Sequence, residues 1–80
     1  MTAVYFISAF LMLNATPPLG WIQWTQDYSD MSSCQEVIKL QKDEMSISIT
    51  VQFGKKVIKI LDWECLPHQE AVDRNSKLRH

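Results

Sequence analysis

A polar stripe decides the middle of this chain. Taken at 100° per residue, Gln35, Glu36, Lys39, Asp43, Ser46 and Thr50 fall within one arc of roughly 100°. Opposite them lie Cys34, Ile38, Met45, Ile49 and Phe53, flanked by Val37, Leu40, Ile47 and Val51. A competing signal runs through the same residues. Met45 to Phe53 alternates apolar and polar, meets Gly54-Lys55 and continues through a second apolar segment to Cys65, which is the pattern of a β-hairpin over 45–65 with flanking helices. Period 2 explains only the alternating segment, whereas period 3.6 explains the whole span. The β-branched residues Ile47, Ile49, Thr50 and Val51 cost a helix only tenths of a kcal/mol each. The expectation is a helix over 33–53. Ser33-Cys34-Gln35-Glu36 has the form of a capping box at its start, and Gly54 stands where a left-handed, helix-ending residue is wanted.

The neighbours of this helix follow from length. Trp21 to Gln26 has strand propensity and no helix start signal, so a strand is expected over 21–26. A helix from Cys34 to Phe53 and an extended return strand over 56–65 both cover about 30 Å, which brings Cys65 back beside Cys34. The two strands then run parallel with the helix as a right-handed crossover, a single β-α-β unit. A short C-terminal helix is expected over 67–77, with Pro67 in its first turn, Glu70 near its positive end and Lys77 and Arg79 near its negative end. The fold class is α+β.

No side chain before Asp27 carries a charge, and Ala3 to Leu13 is apolar apart from one serine. That length matches the core of a secretory signal and falls short of a spanning helix. Residues 1–20 are therefore expected to be a signal peptide, cleaved between Thr16 and Trp21, or an N-terminal membrane anchor; a buried helix is the third reading. Residues 21–80 form the small α+β domain. A domain of about 60 residues is marginal on its hydrophobic core alone. The even count of two cysteines in an exported chain, with the matching helix and strand lengths, supplies a staple, the Cys34–Cys65 disulfide.

Charge and motifs restrict function. Eight basic and nine acidic side chains are scattered without a basic run, so nucleic acid is not an expected partner. Cys34, Cys65, His68 and His80 contain one tight pair, Cys65-x-x-His68, where structural zinc sites usually present two; no metal or other cofactor is expected. Cys34 in a helical first turn would be an activated thiol, but with Cys65 within reach an oxidising exported environment converts the pair to a disulfide. Asp62 and Glu64 flank Trp63 as a glycosidase pair would, or as two solvated acids. Trp21, Trp24 and Trp63 read as core in preference to an aromatic ligand platform. No catalytic residue is expected.

The apolar leader, the "WIQW" start, the "SSC" helix opening, "FGKKVIKILDWEC" and "EAVDRNSKL" with its Asn75 resemble small exported two-cysteine proteins of marine bacteria and their phages. The chain differs from that group in a leader without basic residues and in Pro67, where the group has Ser or Thr. The resemblance implies export and a disulfide, and no activity. The expected function is that of a non-enzymatic protein-interaction module of the envelope or periplasm, its partner an unidentified protein. The alternatives are a membrane-tethered modulator of an envelope complex, which needs the leader retained, and a thiol or metal enzyme. Strand parity puts Val57, Lys59, Leu61, Trp63 and Cys65 on the helix side and turns Ile58 and Ile60 outward, as the candidate interaction patch.

Overall fold

The computed structural model describes residues 4–78. Strand β1 (Tyr5–Leu13) turns through a short loop, in which the Thr16–Pro17 peptide is cis, into strand β2 (Leu19–Tyr28). Helix α1 (Met31–Phe53), a single 3-10 turn at Gly54–Lys56, strand β3 (Val57–Leu66) and helix α2 (His68–Leu78) follow. The sheet order is β2-β1-β3, and β1 is antiparallel to both neighbours. It follows that β2 and β3 are parallel to each other, with α1 as the crossover between them. The expected β-α-β path is present, with β1 inserted between its two strands.

That insertion corrects the domain boundary. The apolar segment assigned to a leader supplies the middle of the sheet, so the folded unit starts at or before Tyr5 and not at Trp21. The physical reason is that a central strand covered on both faces is a near-continuous apolar run, the same signature as a secretory core. Ile7, Ser8, Ala9 and Leu11 are all buried.

Helix α1 settles the competition over Met45 to Phe53. Cys34, Met45 and Ile49 are its buried residues, and Ile38 and Phe53 pack beside them against the sheet. The hydroxyls that alternate with apolar residues do not break the helix. Ser46 Oγ donates to the Lys42 carbonyl at 2.8 Å and Thr50 Oγ1 to the Ser46 carbonyl at 3.1 Å, so each uses the helix itself as partner. Leu40, Ile47 and Val51, on the flank of the apolar arc, stay in water. Gly54 ends α1 at φ 57°, where a side chain would be strained, and its N–H bonds the Thr50 carbonyl.

The helix start lies two residues before Ser33. Asp30 is the N-cap: its carboxylate accepts the Ser33 amide at 2.7 Å and the Ser33 hydroxyl at 3.0 Å. An anion at the positive end of a helix outcompetes a neutral hydroxyl for this role, which turns Ser33 from cap into donor. Similarly, α2 begins after Pro67, whose carbonyl accepts the amides of Glu70 and Ala71. The Ser33 amide holds the exposed Asp30 carboxyl below its ordinary range, so folding favours the ionised form. The stability it adds is complete above the ordinary carboxyl value and is lost as pH falls through the lowered one. Asp30→Ala is therefore expected to lower the urea midpoint at neutral pH and to flatten the acid limb of its pH profile, as followed by circular dichroism.

The core lies between α1 and the sheet in two clusters. One gathers Ile7, Cys34, Met45 and Cys65, the other Ala9, Leu11 and Ile49. Trp24 and Trp63 pack against both and against each other, with ring centroids 5.5 Å apart. Helix α2 covers part of the opposite face, over β2 and β1. There Trp21 stacks on Phe10 at 4.8 Å, with the Arg74 guanidinium 5.0 Å from the Trp21 ring.

Candidate interaction surface

The disulfide is present between Cys34, in the first turn of α1, and Cys65, near the end of β3, with Cα atoms 6.1 Å apart. Both cysteines are buried, at 0% and 4% exposure. Neither sulfur is left as a thiolate for a metal or for catalysis, and His80 of the proposed zinc set lies outside the described residues. His68 is held by Gln23: its Nδ1 lies 3.0 Å from Gln23 Oε1. The Gln23 amide is oriented by its own donations, to Ser8 Oγ at 2.9 Å and to the Leu66 carbonyl at 3.2 Å, so the His68 Nδ1–H is the donor. One side chain thus ties β2 to β1, β3 and α2 and satisfies Ser8, a buried polar residue of the sheet.

The acids flanking Trp63 are each engaged separately. Asp62 Oδ1 accepts the Trp63 amide at 2.8 Å. Glu64 receives Arg74 at 2.7 Å, and Glu70 receives the same guanidinium at 2.9 Å. The hydrogen bond to Glu64 is the main reason that Arg74 holds its proton above the ordinary arginine range. Among the described residues no group of three or more His, Cys, Asp or Glu side chains converges as a metal site would require. The tryptophans divide: Trp24 and Trp63 belong to the core side, and Trp21 to the face under α2.

The patch expected at Ile58 and Ile60 does not form. Ile58 is 63% exposed, but Ile60 packs against Ala9, Leu11 and Ile49 on the α1 side. Two bulges are the cause. The β1–β3 register slips between Phe10 and Leu11 and again between Met12 and Leu13, which leaves Leu61 and Ile58 without cross-strand partners. Each slip inverts the face assignment. Ile60 turns inward, Leu61 becomes 39% exposed, and Lys59, opposite Met12, leaves the α1 face, while Val57 returns to it. Accordingly Ile60→Lys is expected to cost about 1–2 kcal/mol in chemical unfolding, whereas Ile58→Lys stays within roughly 0.5 kcal/mol of the parent. Equal effects would return both residues to one face.

What the structure offers in place of that patch is the outer edge of β2. The Leu13 amide bonds the Pro18 carbonyl in the β1–β2 turn, which sets the alternation of the ladder. Leu19, Trp21 and Gln23 then direct their backbone groups away from β1. At Trp21 they are taken by a side chain: the Trp21 amide donates to Asn75 Oδ1 at 2.7 Å, and Asn75 Nδ2 donates to the Trp21 carbonyl at 3.0 Å. Two hollows flank the edge. One, about 450 Å³, lies on the α2 side among Phe6, Trp21, Gln23, His68 and Val72. The other, about 240 Å³, lies on the α1 side among Ile22, Trp24, Ile49, Gln52 and Phe53. Among the described residues no acidic side chain, lysine or arginine lines either hollow. Gln23 and Asn75 carried no signal of their role in the sequence, because their partners are backbone groups and residues distant in the chain.

No protein family, curated protein or solved structure matches this chain.

Proposed function

We propose that this chain is a non-enzymatic protein-interaction module of an oxidising compartment, the periplasm or envelope of its host. The observation that carries the reading is the buried Cys34–Cys65 disulfide, a bond that persists in exported proteins and is reduced in most cytosols. The N-terminal apolar segment no longer contributes to this reading, since it serves as β1. No helix among the described residues is long and apolar enough to cross a membrane.

The reading as a binder rests on how the reactive side chains are used. Both thiols are bonded to each other, Glu64 is paired with Arg74, and His68 is held by Gln23, so each is engaged in holding the fold. The likeness to small exported two-cysteine proteins of marine bacteria and phages points to the same compartment. Fractionation of the native host with a free-thiol count tests compartment and redox state together. The expected result is oxidised protein in the envelope or periplasmic fraction, cross-linked there to a partner protein. Reduced protein in the cytosolic fraction would overturn the reading.

A further inference from the structure

We infer that the outer edge of β2, from Leu19 to Gln23, accepts an extended, uncharged segment of a partner protein as a fourth strand, and that Asn75 occupies the place the segment takes. The inference deepens the reading as an interaction module and rests on it.

The two edges of the sheet differ. The β3 edge is blunted from within: two register slips break its pattern of outward groups, and the Asp62 carboxylate accepts the Trp63 amide. The β2 edge is regular from Leu19 to Gln23, slipping only beyond that point, between Phe6 and Ser8 of β1. Its middle position is filled by a group from another element, the side-chain amide of Asn75 on α2. That amide donates to and accepts from one strand residue, as a neighbouring strand does. The edge therefore already holds, inside the molecule, a one-residue stand-in for its occupant.

The hollows define the occupant further. Successive side chains of an added strand point to opposite faces, so alternate residues enter the hollow under α2 and the hollow beside α1. Among the described residues the linings mix Phe, Trp, Ile and Val with Gln, Thr, Ser, His and Asn and hold no acidic, lysine or arginine side chain, which favours uncharged residues, apolar or hydroxyl-bearing, at those positions. The run from Leu19 to Gln23 limits the docked segment to about five residues. For such a segment to bind, Asn75 must release Trp21, so binding competes with the packing of α2 on β2.

The test is a titration of the oxidised full chain with a capped peptide of alternating valine and threonine, followed by amide resonances. The control is the same peptide N-methylated at alternate residues. The inference expects shifts centred on Leu19, Trp21 and Gln23, none with the methylated peptide, and roughly tenfold tighter binding by Asn75→Ala, which has no stand-in to displace. Parent protein that ignores both peptides, or shifts centred on β3, would overturn it, whatever the variant does. So would concentration-dependent dimers of the parent protein closing through β2, because the occupant would then be a second copy. Cross-linking in the native envelope separates this from the broader reading. A partner captured equally by a Leu19→Pro chain that keeps the parent's circular dichroism but lacks one outward amide removes this edge and leaves the module; the absence of any partner removes the module and leaves the peptide result standing.

Discussion

A chain starting at Trp21 is expected to be unfolded. Residues 21–80 retain both helices and both outer strands but lack the strand that pairs with each of them. Ile7 and Leu11 are almost fully buried, and burial of each stabilises by roughly 1.5–3 kcal/mol. Their loss alone takes about 3–6 kcal/mol from a domain whose total is of the order of 4–12 kcal/mol. The ladder hydrogen bonds on both sides of β1 go with them. Circular dichroism should show no cooperative thermal transition for the truncated chain, and its amides should exchange without protection. A cooperative transition in residues 21–80 would mean that a different sheet forms without β1.

Removal of the disulfide is the second large effect. Its two cysteines are separated by 31 positions, and in the chain-entropy model a loop of that size restricts the unfolded state by about 3.7 kcal/mol. The Cα separation of 6.1 Å lies within the ordinary range for a disulfide, so the bond joins α1 to β3 without displacing either. The Cys34→Ala, Cys65→Ala double variant is expected to lose most of this amount, together with the packing of two buried sulfurs. Thermal unfolding of oxidised, reduced and double-variant protein, after a thiol count on the native form, is the measurement. Two titratable thiols in the native form, or equal melting temperatures, would remove the staple.

Most of the chain's architecture was legible because local and long-range signals agreed over its last two-thirds. The polar stripe of α1, Gly54 and the matching lengths of helix and return strand located Cys34 against Cys65. The first strand was not legible as such. Val4 to Leu13 has no alternation because both faces of β1 are covered, and a buried strand and a secretory core are then the same kind of apolar run. The β-branched and aromatic residues Val4, Tyr5, Phe6, Ile7 and Phe10, with no basic residue ahead of them, were the signal that favoured the strand. The face of Ile60 was missed because parity counts residues, and bulges at Leu61 and Ile58 change the count without altering composition. The β2 edge was missed because Asn75 binds the main chain of Trp21, and no sequence pattern records a backbone partner 54 positions away.

Placing the first strand of the chain in the centre of the sheet has a consequence for the order of events in folding. The β1–β2 pair can form early, as a local hairpin, but β1 acquires its other neighbour only when β3 has been made, with Ile7 opposite Cys65 and Phe6 opposite Leu66. Contacts between such distant positions make folding slow, since the loop between them must close before any of them is gained. Until then one flank of an uncharged apolar strand is open to other chains, and synthesis must run almost to α2 before it is covered. The sheet is therefore completed only when β3 arrives, and until then its N-terminal segment is available to whatever cellular factors bind nascent apolar chain.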